Sequence, residues 1–217
     1  MPPGDFERNP RKRSMGPIIG VIILLVVAGG GYLAWKALSG GAAPEETPAP
    51  LPEQPLVQDT AYASSTMKFS LRYPQGFTLQ EPYAYTRVSP TKPINGVKFL
   101  VPTALAQGTN LAPDSGVSVE ELPRANLCTG DIFLKANVKA QPVTGVVSFS
   151  VATSSEKAGA DTFEEAVFAV TGSKPCIAMR YFLHTTSATG TASTTPAYDR
   201  AAVLAAFDSI RNSLSIQ

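Results

Sequence analysis

The chain has 217 residues, 18 Lys plus Arg against 17 Asp plus Glu, a formal net charge of +1 and 44% hydrophobic residues. Within residues 61–217 the basic and acidic counts are 13 and 11, a balance that excludes a general electrostatic footprint for nucleic acid. Two cysteines and one histidine leave little material for a metal centre.

In chain order, residues 1–16 are rich in Pro, Gly and charge and read as a disordered tail. Residues 17–38, PIIGVIILLVVAGGGYLAWKAL, read as a single transmembrane helix. From Ser14 to Trp35 there are 22 residues without a charge, and spanning a bilayer core of ~30 Å takes roughly 20 helical residues. Tyr32, Trp35 and Lys36 suit the headgroup layer at the downstream end. Arg8, Arg11, Lys12 and Arg13 precede the span, whereas residues 39–60 hold Glu45, Glu46, Glu53 and Asp59 and no basic residue. The positive-inside rule then places the N-terminus in the cytoplasm and the bulk of the chain outside, with membrane lipid as the first partner. A cleaved secretory signal is the rival reading; it exports the same domain, but its apolar core is usually shorter than this one.

Residues 39–60, with Pro44, Pro48, Pro50, Pro52 and Pro55, read as an extended spacer. Residues 61–217 remain as one extracytoplasmic domain, large enough to bury a core of its own. Residues 66–73, TMKFSLRY, place Phe69, Leu71 and Tyr73 in alternation with Lys68, Ser70 and Arg72, the pattern of a half-buried strand. Pro74-Gln75-Gly76 supplies a turn, so residues 77–80 are expected to return antiparallel as a hairpin. Further strands are expected over residues 97–101, 117–122, 146–151, 163–170 and 177–184. In the last, Ile177, Met179, Tyr181 and Leu183 face inward, with Arg180 and His184 on the opposite side.

Two stretches depart from the strand pattern. Residues 129–138 suggest a short helix capped by Thr129, with Asp131 in its first turn. Residues 195–215 suggest an amphipathic helix, with Thr195 as cap, Pro196 at the first helical position and Val203, Phe207, Ile210 and Leu214 at helical spacing. Between the last strand and this helix, the Gly, Ser and Thr-rich residues 185–195 read as a flexible loop. The expected fold class is therefore α+β: an antiparallel sheet of about six strands carrying a short helix and a C-terminal helix.

The opening F-S-L-x-Y-P-x-G-F, from Phe69 to Phe77, and the closing F-D-x-I-x-x-S-L, from Phe207 to Leu214, resemble the frame of PsbP-like and Mog1-like domains. The resemblance covers the two ends of the domain. It implies an antiparallel sheet flanked by helices and a binding or assembly role, and it carries over no functional residue. The chain as a whole also resembles single-pass envelope proteins of bacteria with reduced genomes, which implies location and no activity.

The two cysteines, Cys128 and Cys176, both fall in the exported domain, where oxidising surroundings favour a disulfide. No C-x-x-C spacing supports a redox pair. His184 is the sole histidine, which reads as a polar residue at a strand end. The doublets Glu120-Glu121 and Glu164-Glu165, with Asp161, could approach across strands as a calcium site or acid and base pair, but alternation offers only one carboxylate of each doublet to either face. G-x-S-x-G, P-loop and dinucleotide fingerprints are absent, so no cofactor is expected. Tyr83, Tyr85 and Arg87 share one side of an extended stretch and form the best candidate contact surface. The expected function is a non-enzymatic, membrane-anchored binding or assembly domain of the cell envelope whose partner is a protein or wall component. The alternative is an extracytoplasmic hydrolase or carbohydrate-active enzyme working through the carboxylates.

Overall fold

Ten strands and two helices carry the fold in the computed structural model, which describes residues 58–187 and 195–217. The expected transmembrane helix over residues 17–38, its tail and most of the spacer lie outside the described residues, as do residues 188–194 of the expected loop. Among the described residues no helix is long and apolar enough to cross a membrane.

The architecture is α+β with antiparallel pairing throughout, but the strands form two sheets rather than one. The small sheet joins β1 (Asp59–Ser64), β2 (Phe69–Pro74) and β10 (Ser215–Ile216) in the order β1-β2-β10. The large sheet has seven strands in the order β3-β4-β5-β9-β8-β7-β6. These are β3 (Thr78–Tyr85), β4 (Ile94–Leu100), β5 (Gly116–Leu122), β6 (Gln141–Val143), β7 (Phe149–Ala158), β8 (Asp161–Val170) and β9 (Cys176–Thr186). The turn α1 (Thr103–Ala106) follows β4, and α2 (Arg200–Asn212) precedes β10.

The expected hairpin between residues 66–73 and 77–80 does not form. β2 pairs instead with β1, Asp59 opposite Pro74 and Ser64 opposite Phe69, while β3 pairs with β4 in the other sheet. Gly76, at φ +98°, lets the chain leave one sheet for the other through the Pro74–Gly76 turn. Phe77 then enters the core against Phe207, with ring centroids 6.4 Å apart. β1 gave no periodic signal because five of its six residues face at least partly outward. It also begins at Asp59, inside the stretch read as spacer.

The large sheet buries both faces. On the helix face, Val117, Val119, Met179 and Tyr181 pack with Phe69, Leu71 and the α2 residues Val203, Phe207 and Ile210, which recur at i, i+4 and i+7. α2 starts at Arg200 rather than near Pro196, because the Asp199 carboxylate accepts the Ala202 N–H at 3.0 Å and acts as the cap. On the loop face, Tyr85, Ile94, Phe133, Leu134, Val167 and Phe182 form a second core. The helix expected over residues 129–138 is reduced to a single 3-10 turn, Gly130–Phe133, without a Thr129 side-chain cap. Gly130 lies directly on the sheet: a Cβ there would sit 2.8 Å from the carbonyl oxygens of Ser150 and Val167. That close approach pins the segment before a helix can propagate.

The two outer strands of the large sheet are protected against further pairing. β6 is three residues long with Pro142 at its centre, and the β3 ladder shifts register between Gln80 and Tyr83, where Pro82 has no N–H to donate.

Candidate functional site

Cross-strand register assembles a polar cluster on the loop face. Lys98 of β4, Ser118 of β5 and Arg180 of β9 stand opposite one another in one row, with Gln80 of β3 beyond Lys98. The adjacent row on one side carries Gly96, Glu120 and Ala178; on the other it carries Leu100, Gly116, Phe182 and Glu165. Alternation puts all these side chains on the same face.

Arg180 is wholly buried and multiply held. Its Nε donates to Glu120 Oε1 at 2.8 Å and its Nη2 to Glu120 Oε2 at 2.7 Å, a bidentate pair in which both side chains are fully inaccessible. Nη2 also donates to the Phe133 carbonyl at 2.8 Å, which ties the 3-10 turn to the sheet. Nη1 lies 3.3 Å from Glu165 Oε1, an ion pair without hydrogen-bond alignment. The Tyr85 ring covers the guanidinium at 3.6 Å, and its hydroxyl donates to Glu165. Ser118 donates to Glu120 at 2.7 Å and Ser154 to Glu165 at 3.2 Å. Burial pushes the Glu165 carboxyl up, and the Arg180 charge pulls against it.

Thus one carboxylate from each acidic doublet, Glu120 and Glu165, does reach a common point. What alternation alone could not show is that β9 lies between β5 and β8 and brings Arg180 to meet both. Both carboxylates converge on a single guanidinium, that of Arg180. Glu164 faces the other way and pairs with Arg200 at 2.8 Å. Glu121 and Asp161 are not part of the cluster: Glu121 borders a separate cleft with Lys92 and Arg124, and Asp161 approaches His184. Among the described residues, no group of three or more His, Cys, Asp or Glu is placed to hold a metal ion.

Beside this cluster opens a groove of about 450 Å³, walled by Tyr83, Tyr85, Arg87, Lys98, Asp114 and Phe182. All three residues read as a contact surface border it, in unequal roles. Tyr85 is 3% exposed and belongs to the interior, whereas Tyr83 and Arg87 are half-buried at the rim. The Arg87 guanidinium stacks on Phe163 at 3.7 Å and pairs with Glu156 at 2.8 Å. Lys98, only 5% exposed, points its Nζ between the rings of Phe182 and Tyr83, 4.6 and 5.2 Å from their centroids. No carboxylate among the described residues pairs with it. Burial pulls its ammonium from 10.5 down to about 8, against the raising fields of Asp114 and Glu120. Burial also pushes the Tyr83 phenol up, with Glu120 adding to the shift and Arg180 opposing it.

His184 is more than a polar residue at a strand end. Its Nδ1 lies 2.8 Å from Asp114 Oδ1 and its Nε2 3.3 Å from Asp161 Oδ1, while the ring stacks on Phe163 at 4.4 Å. The Asp114 carboxylate on the groove wall is thereby engaged from behind. Cys128 and Cys176 come together with sulfurs 2.13 Å apart across a sequence separation of 48, joining the segment before the 3-10 turn to the start of β9. The cover of the loop face is thus fastened at one end by the disulfide and at the other by the Phe133 carbonyl on Arg180.

Lys98 escaped the sequence reading although a signal existed: it is the single polar residue in the run VKFLV, at a strand position whose neighbours are all apolar. Asp114 gave none, because it lies in a loop and reaches the site only through the β5–β9 register.

No protein-family model matches the chain, and no curated protein matches it. Among similar solved structures is a protein of Bacteroides thetaiotaomicron VPI-5482, 13% identical with a TM-score of 0.42. The match covers 74% of this chain and 49% of that one, so this chain spans about half of that protein's length. A second is the solution structure of cyanobacterial PsbP (CyanoP) from Synechocystis sp. PCC 6803, 14% identical with a TM-score of 0.33 over 78% of this chain and 98% of the other. A PsbP protein is thus among the similar solved structures, and no residue role is transferred with it.

Proposed function

We propose that this chain is a membrane-anchored, extracytoplasmic binding or assembly domain of the cell envelope, acting without catalysis through the groove beside Lys98. The observation that carries the reading is the contrast in how polar groups are used on the loop face. The converging carboxylates Glu120 and Glu165 are committed to Arg180, which counts against the carboxylate hydrolase. The neighbouring groove holds the head group of a largely buried lysine, without an ion pair, between aromatic walls, with a half-buried Tyr and Arg at the rim, residue types suited to recognition. The partner is a protein or cell-wall component; the anchor and spacer expected before Asp59 would present the groove to it outside the membrane.

A photo-crosslinking amino acid placed at Tyr83 of the full chain in cells, compared with the same group at exposed Lys174, tests the groove. The expected result is a discrete adduct at Tyr83 that is absent at Lys174. Equal or absent adducts would overturn the groove as the contact surface. Protease shaving of the same cells tests the topology, with cleavage of the domain expected and full protection refuting it.

A further inference from the structure

We propose that the groove beside Lys98 is a binding site for a carboxylate attached to an aromatic or apolar body; this deepens the reading of the groove as the contact surface and rests on it. Two buried cations stand in one cross-strand row, with Ser118 between them. Arg180 has two carboxylates and a carbonyl, whereas Lys98 Nζ has two aromatic faces and no anion. A largely buried ammonium is costly unless it is paired, and the nearest carboxylates, Asp114 and Glu120, act on this one only at a distance, without an ion pair. The open side of the groove is where a counter-ion can enter.

The walls define the rest of the ligand. Tyr83 and Phe182 flank Nζ and offer ring faces to a planar or apolar group. Asp114 also lines the groove, but its Oδ1 is turned to His184 Nδ1 at 2.8 Å, so its charge is partly engaged away from the entering group. Arg87 at the rim is occupied by Glu156 and Phe163. A single ammonium with no second free guanidinium suits a monoanion better than a phosphate, which calls for several convergent donors. The carboxylate could belong to a free organic acid or to the C-terminus of a peptide, and the two are separable by experiment.

The full chain in detergent, carrying 13C-labelled lysine, is titrated with benzoate and with N-acetyl-Gly-Phe, each against its carboxamide. The Lys98 Cε resonance is assigned by its loss in Lys98→Gln. Saturable movement of that resonance by benzoate alone indicates a free-acid site, and movement by the peptide acid indicates a C-terminal carboxylate site; either supports the proposal. The ammonium gains an ion pair on binding, so its titration midpoint should rise in the bound form. Lys98→Gln should weaken binding by about 10- to 100-fold, the equivalent of one charge-assisted contact. A resonance unmoved by both acids, or moved equally by their amides, overturns the proposal; Lys98→Arg supplies the assignment should Lys98→Gln not fold. If both acids fail while the Tyr83 adduct forms, the carboxylate class falls and the groove reading stands; if the adduct fails as well, both fall.

Discussion

Arg180 and Lys98 occupy equivalent positions, one strand apart on either side of Ser118 and both nearly inaccessible, yet the surrounding chain treats them in opposite ways. Arg180 is held by Glu120, Glu165, the Phe133 carbonyl and the Tyr85 ring, so it links β9 to β5, β8, β3 and the covering turn. Lys98 has only ring faces and a groove before it. Burial of charge by itself therefore says little about role; the inventory of partners separates a structural cation from one available to a ligand.

The largest expected effect comes from unbalancing Arg180. Glu120→Ala should lower the stability of the domain by about 3–5 kcal/mol, because it leaves a buried guanidinium with one misaligned carboxylate. Adding Arg180→Met to Glu120→Ala should restore only part of that loss, since it removes the orphaned guanidinium but leaves Glu165 without its cation. Denaturant unfolding followed by circular dichroism measures both, and a neutral Glu120→Ala would remove the distinction between the two cations.

Opening the Cys128–Cys176 link comes next. It closes a loop across 48 residues, and its loss in Cys128→Ser/Cys176→Ser should cost about 4 kcal/mol in the chain-entropy view. Hydrogen exchange should speed up around the Gly130–Phe133 turn that supplies the Arg180 carbonyl contact more than at Lys98. Uniform acceleration across the sheet would contradict the assignment of the disulfide to that cover. Alkylation without reductant should leave both thiols unlabelled.

Lys98→Met should have the opposite sign. The ammonium falls from 10.5 in the unfolded chain to about 8 in the folded one, a penalty of about 3 kcal/mol at pH 7. The folded protein gives up this proton first, so between those two values the unfolded chain binds more protons and stability rises with pH. The variant should accordingly be more stable than the parent by about 3 kcal/mol at pH 7. That advantage should fade as pH climbs through 8 and vanish above 10.5, where the lysine is neutral in both states. Thermal unfolding of the two proteins across that range checks the difference; a constant offset would mean that Lys98 keeps its charge.

The smallest effect is expected at the rim. Arg87→Ala breaks an ion pair whose side chains are 32% and 53% exposed, so stability should change by less than about 1 kcal/mol. Any weakening of ligand binding would then report on the groove itself.

Legibility in the sequence followed the strength of the local pattern. β9 was read almost complete, since its alternation of Ile177, Met179, Tyr181 and Leu183 survives burial on both faces. α2 was read from Val203, Phe207 and Ile210, with its start placed too early because Pro196 offered a helix-opening signal that Asp199 overrides. β1, β6 and β10 were missed: they are short, largely exposed edge or partner strands whose residues carry no periodic apolar signal. At the candidate site Tyr83, Tyr85 and Arg87 were picked out as sharing one side of a strand, but nothing local marks Tyr85 as the lid of Arg180.

What the sequence by itself determined is what depends on near neighbours: the strand-rich α+β character, the alternation that sends one glutamate of each doublet to each face, and the terminal amphipathic helix. Pairing across large separations was decided only in the tertiary structure. The order β5-β9-β8 sets Arg180 between Glu120 and Glu165, and the order β4-β5-β9 leaves Lys98 beside Phe182 without an ion pair. Alternation constrains each strand separately, whereas which strands become neighbours is settled by how both faces of the sheet are covered at once.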